Sequence, residues 1–267
     1  DGTLHILTEA GVGVRAEIWP ALGFNCYRWQ VGRAEILYAD PQLFTTPVPT
    51  RSGIPILFPF PNRLRDGRYR WEGRDYQLPL NSANKNAIHG FACRHPWRVI
   101  GQGADFQGAW LQGEFHATAD APESRALWPA DYRLRATYRL AGKSLQLEMV
   151  VENLDTVPLP FGLGLHPWFR VPPLDGQTPE ECWIEAPARR FWELTEGLPT
   201  GQRRPVDAGR DLNQPRLFTA LSLDDVLTDL EPAGPLLNGL RRLGRLTVGR
   251  QPGAADCSSQ NQGARPL

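Results

Sequence analysis

Lysine is nearly missing from this chain: of its 29 basic residues only Lys85 and Lys143 are lysines, and methionine occurs once, at Met149. We read that bias as coding composition before function. Net charge is missing as well, because 29 basic residues meet 29 acidic ones without any basic run. A neutral surface gives no footprint for nucleic acid or for an anionic membrane, so neither is expected as a partner. The four cysteines, Cys26, Cys93, Cys182 and Cys257, include no Cys-x-x-Cys pair. This argues against a cysteine zinc site and a disulfide scaffold, and it fits a reducing, cytoplasmic compartment. No stretch is apolar enough to span a bilayer, and no signal-peptide core opens the chain. Position 1 is Asp, so the start is expected to be trimmed or partial. The five histidines show neither His-x-His nor His-Glu-x-x-His spacing, and no metal site is expected. Nucleophile-elbow, dinucleotide and P-loop signatures are absent too.

What is present is period-2 alternation. Tyr132, Leu134, Ala136, Tyr138 and Leu140 alternate with Arg133, Arg135, Thr137 and Arg139. That pattern predicts a half-buried strand with a wet, basic face. Ala141-Gly142-Lys143 turns the chain, and Leu145, Leu147, Met149 and Val151 alternate back, so Arg should face Glu across a hairpin. Arg68–Trp71 and Arg74–Leu78 around Glu72-Gly73 predict a second hairpin. Gly (26) and Pro (25) recur throughout as punctuation, and no long helical period appears. The expectation is an all-β protein, a sandwich of large antiparallel sheets in one domain over residues 5–240. From about Arg241 the alternation fades. Residues 249–267 hold no aromatic, so 241–267 reads as an atypical tail.

Three short stretches do not look like core: Pro61-Asn62-Arg63, His89-Gly90-Phe91 and Leu165-His166-Pro167-Trp168. Each sets a proton-handling or hydrogen-bonding side chain among prolines, glycines and aromatics, which build rigid, irregular backbone at strand ends. A histidine with a pKa near ~6.5 can move a proton near neutrality. Arg63 presents a planar fork suited to hydroxyls or to an ion pair. The 9 Trp fit core packing or stacking on sugar C–H faces. His95 and His116 lack such context and read as structural or exposed. Asp224-Asp225 is a carboxylate pair in an apolar run, read as a strand end or a binding pair.

Taken in order, these stretches resemble the aldose 1-epimerase (galactose mutarotase) family. The resemblance rests on Gly53–Leu64, on Asn86–Ala92 with Trp97, on Gly164–Phe169 and on Leu223–Val226, and spans roughly residues 5 to 235. It implies a β-supersandwich and cofactor-free interconversion of the α and β anomers of a hexose by ring opening. By position, His166 would be the acid, and His89 would hold and polarise the ring oxygen or a hydroxyl. Asn62, Arg63 and Asp224 would bind hydroxyls, Asp225 being the weaker candidate of its pair, and Trp168 would wall the sugar. The expected partner is a small sugar, with the protein a monomer or homodimer.

Two departures matter. The family's base is a glutamate in a C-terminal motif close to Glu-Pro-Tyr-Thr. Here Glu231-Pro232 comes too early, and no Glu follows Glu231. A truncation or frameshift near residue 240 would explain a missing base and missing strands together, and a non-catalytic sugar-binding protein becomes the alternative. The hexose-6-phosphate 1-epimerase branch tends to read His-Gly-Phe-Ala-Arg, where this chain has Cys93 with Arg94 next. If this segment were a strand, that one-residue offset would turn the arginine to the other face and favour a neutral sugar, although Arg65, Arg68 and Arg94 stay available.

Overall fold

The computed structural model describes residues 2–83 and 85–231, and the backbone of 233–237, 240–242 and 245–248 (Ala10 likewise by its backbone alone). Two compact units result, residues 1–174 and 175–267.

The first unit contains two four-stranded antiparallel meanders. One joins β1 (His5–Glu9), β2 (Val14–Trp19), β3 (Asn25–Val31) and β4 (Ala34–Glu35) in sequence order. Next along the chain come the short β5 (Ile56–Leu57), β6 (Arg63–Leu64), β7 (Arg68–Trp71), β8 (Arg74–Gln77) and β9 (Ala87–Ile88). The second meander is β10 (Arg98–Asp105), β11 (Gly108–His116), β12 (Tyr132–Ala141) and β13 (Ser144–Asn153). In β12 burial alternates strictly: Tyr132, Leu134, Ala136, Tyr138 and Leu140 are fully buried. They share one core with Val14, Ala16 and Ile18 of β2 and Phe24 beside β3, so the inner faces of two sheets make a sandwich. Burying one Leu or Phe of this kind stabilises by about 1.5–3 kcal/mol.

The wet face of β12 neutralises itself. Arg133 lies opposite Glu152, as the alternation predicts. Arg98 Nη2 and Arg135 Nε both donate to the buried Glu114, at 3.0 and 2.9 Å, and these arginines hold its carboxyl below the usual range. The hairpin β7–β8 also forms, with Tyr69 opposite Tyr76 and their rings stacked at 4.8 Å.

Two minimal ladders position the site. β5 pairs antiparallel with β14 (Gly164–Leu165), and β6 pairs with β9. Between them, Phe58 bridges Gly90 in parallel and its carbonyl accepts from Phe91 N–H at 2.8 Å.

The second unit holds β15 (Cys182–Glu185), β16 (Ala188–Thr195), β17 (Leu198–Pro205), β18 (Arg216–Leu217) and β19 (Val226–Leu230). β16 is central between β17 and β19, and β15 pairs with β18 and with Arg245–Val248. The rest of the expected tail, from residue 249 on, lies outside the described residues, as does Cys257.

Candidate active site

The ladder that begins as β5–β14 continues past β14. His166 N–H donates to Pro55 O at 3.0 Å and Trp168 N–H to Gly53 O at 2.8 Å. On its other side the segment meets β4's continuation, Tyr38 N–H donating to Trp168 O at 2.8 Å. His166 and Trp168 are two residues apart in this extended run, so they share a face. Their ring centroids lie 5.6 Å apart. The indole N–H of Trp168 donates to Thr50 O at 2.8 Å, and Tyr38 packs against the ring at 6.2 Å. Trp168 keeps 37% of its surface exposed, enough to offer a face to a ligand.

The β6–β9 ladder brings in the other half. Arg63 lies opposite Ile88, and His89 N–H donates to Asn62 O at 3.0 Å. Asn62 N–H in turn donates to His89 Nδ1 at 3.2 Å. An amide N–H can only donate, so Nδ1 must be the bare nitrogen and the imidazole proton sits on Nε2. Asn62 and His89 reach this geometry with φ of 56° and 68°, in the left-handed region that non-glycine residues enter at a cost of order 1–3 kcal/mol. Gly90 follows at φ 63°, where an added Cβ would stand 2.2 Å from Phe58 O. No side chain fits there, which explains a glycine directly after the histidine.

The two histidines meet edge to face, with ring centroids 5.6 Å apart. Burial, then His166, Arg94 and Arg63, push the pKa of His89 down from 6.5 to about 4. At neutral pH His89 is therefore an uncharged ring with a single donor, Nε2–H. His166 is half-buried, and its Nδ1 has no partner among the described residues. Arg63 Nη1 donates to Asn62 Oδ1 at 2.9 Å, while its buried Nε is unpartnered among them. The site thus gathers a fixed hydrogen-bond donor, a second imidazole, an arginine, an amide and an indole face.

His89, His166, Asn62, Arg63 and Trp168 are brought together in the first unit. Asp224 belongs to the second unit, exposed just ahead of β19. Its neighbour Asp225 is occupied, accepting from Arg210 Nε at 2.6 Å. Glu231 accepts a hydrogen bond from Arg189. His116 is bonded to Asp131 at 2.8 Å and His95 pairs with Glu123 at 3.2 Å. Among the described residues no group of three or more His, Cys, Asp or Glu could hold a metal ion.

One local reading is corrected. Ala92–Arg94 is a 3₁₀ turn, not a strand, so the offset between Cys93 and Arg94 carries no alternation. Cys93 is buried at 1% exposure, its thiol donating toward His89 O at 3.6 Å, whereas Arg94 is exposed and acts on His89 through its charge. The argument for a neutral sugar therefore falls. The sequence reading also missed Asn25, which holds the strip of residues 49–54, and Thr50, whose carbonyl accepts the Trp168 indole N–H; a short polar residue far along the chain gives no local signal.

The family described as aldose 1-epimerase matches residues 28–233, more than three quarters of the chain. The Escherichia coli (strain K12) protein YihR is 28% identical over 172 residues, 63% of this chain and 52% of its own length. YphB of the same strain is 29% identical over 164 residues, covering 60% and 49%. The chain spans about half the length of these curated relatives. The galactose mutarotase-like protein of Clostridium acetobutylicum superposes with a TM-score of 0.76 at 23% identity, over 93% of this chain and 78% of its own. Galactose 1-epimerase of Lactobacillus acidophilus NCFM gives 0.68 at 18% identity, covering 92% and 77%; at such identities these two establish the fold alone. From the family match and the shared β-sandwich, the chain belongs to the aldose 1-epimerase family.

Proposed function

We propose that this protein interconverts the anomers of an aldose by acid–base ring opening at the His89–His166 pair. The observation that carries the reading is the pairing itself: two imidazoles 5.6 Å apart, one locked as a neutral donor by Asn62 N–H. In ring opening the C1 hydroxyl loses its proton to a solvent water acting as base. Its oxygen becomes the C1 carbonyl as the bond from C1 to the ring oxygen breaks, and the ring oxygen takes a proton from His166, which is reprotonated from solvent. The open aldehyde rotates about C1–C2 and recloses on its other face. His89, uncharged, donates Nε2–H to the ring oxygen or a neighbouring hydroxyl without transferring it. Asn62 and Arg63 orient hydroxyls, and Trp168 gives the apolar face of the sugar a wall. Three buried cysteines without disulfides favour a cytoplasmic setting.

Two further observations bear on the reading. Neither imidazole is hydrogen-bonded to a carboxylate among the described residues. That favours a sugar-binding protein without catalysis as the alternative. Arg63 and Arg94 have no carboxylate partner among the described residues, in contrast to Arg98, Arg133 and Arg135 of the sheet. Uncompensated charge beside His89 favours a sugar phosphate over a neutral hexose as a second candidate substrate.

The test is polarimetric. Fresh α-D-galactose, α-D-glucose and glucose 6-phosphate are each followed to anomeric equilibrium with and without protein, and binding is measured calorimetrically. A rate above the spontaneous one supports mutarotation, and the preferred substrate decides the charge. Binding at the blank rate supports the sugar binder; neither binding nor rate refutes both.

A further inference from the structure

Asn25 opens β3 and is fully buried, at 0% exposure. Its carboxamide is committed to one neighbouring strip, residues 49–54. Nδ2 donates to Ser52 O at 2.8 Å and more loosely to Pro49 O at 3.4 Å; Oδ1 accepts from Ile54 N–H at 2.8 Å. The strip sits directly on β3: a Cβ on Gly53 would lie 2.3 Å from Cys26 O and 2.4 Å from Asn25 Oδ1. The same strip then receives the candidate site. Thr50 O accepts Trp168 Nε1–H, Gly53 O accepts Trp168 N–H, and Pro55 O accepts His166 N–H, at 2.8, 2.8 and 3.0 Å.

We propose that Asn25 is a positioning residue for His166 and Trp168, acting through the strip of residues 50–55. The proposal takes that site as the working one and in this rests on the function proposed above. A buried amide with donor and acceptor both used fixes its partners in register, because any slip leaves a buried polar group unpaired. Residues placed this way matter to rate, since a displacement of about 1 Å at a reacting group costs on the order of 10²-fold. Asn25 touches neither sugar nor proton in this account; it sets where two residues that do are held.

The experiment replaces Asn25 with Asp. N25D keeps the size and the acceptor for Ile54 N–H, but turns an acceptor toward Ser52 O. Leu140→Val, a fully buried position on the other sheet, serves as the comparison for lost stability alone. Anomerisation kcat and KM are measured well below the melting temperature of each variant. The His166 and Trp168 amide signals and the Trp168 indole signal are followed by NMR. N25D is expected to lower kcat by about tenfold or more and to shift those signals, while L140V melts lower with kcat within about twofold of the parent. An N25D protein with kcat and KM within twofold and unshifted signals overturns the proposal. If N25D does not fold, hydrogen exchange in the unaltered protein decides. Protection of those three protons at the level of the β2–β3 ladder supports it; exchange at the rate of an exposed loop overturns it. If the unaltered protein lacks mutarotation, the proposed function falls, while the NMR and exchange results still judge Asn25.

Discussion

Replacing His89 with Gln should remove a specific acid sensitivity of the fold. In the folded protein the ring resists protonation, its pKa pushed down from 6.5 to about 4 by burial first and then by His166, Arg94 and Arg63. In the unfolded chain it titrates at the ordinary value. Between those values the unfolded state binds the extra proton, so stability is full above about pH 6.5 and is lost as pH falls toward 4. At about 1.36 kcal/mol per pKa unit, moving from pH 7 to pH 4.5 would cost about 2.4 kcal/mol. The ring is only partly buried, so solvent screening reduces this to roughly 1 kcal/mol. Urea unfolding at both pH values, for the parent and for H89Q, isolates the term as a double difference. The parent should lose about 1 kcal/mol more than H89Q. A double difference within about 0.3 kcal/mol, or an NMR titration of His89 near 6.5, would refute the depressed pKa. The same depression leaves no kinetic inflection from His89 near neutrality, so any inflection of kcat/KM there should survive in H89Q.

Three other outcomes are expected. H166A should lower kcat by roughly 10²–10⁴-fold with little change in KM, since proton donation acts on the transition state; polarimetric kinetics check it, and an unchanged kcat removes His166 as the acid. R63A should mainly raise KM, because Arg63 orients hydroxyls or a phosphate, and a loss confined to kcat would contradict that role. G90A combines a φ of 63° with a Cβ 2.2 Å from Phe58 O. It should destabilise the protein by at least about 1–2 kcal/mol, read as a lowered urea midpoint; an unchanged midpoint would mean that the Phe58–Gly90 contact yields freely.

Much of this was readable along the chain. The β12–β13 register, with Arg133 facing Glu152, is written in strict alternation, and the second hairpin in a Glu72-Gly73 turn between two short runs. The irregular stretches around Asn62, His89 and His166 stood out because prolines and glycines surround groups that titrate or hydrogen-bond. The chemistry at Cys93 and Arg94 was not readable: alternation has meaning only in a strand, and the chain makes a 3₁₀ turn there.

The sequence by itself determined an antiparallel β-sandwich and the family to which it belongs. Both rest on short-range properties: side-chain alternation every two residues, and motif residues that recur in order. Tertiary structure alone decided the state of the site. The bond that sets the tautomer of His89 spans 27 residues to Asn62, and the one that fixes Trp168 spans 118 residues to Thr50. Such pairs are chosen by which ladders meet in the folded chain, and no local pattern encodes them. Burial then set the charge of His89, because desolvation depends on everything that closes around the ring.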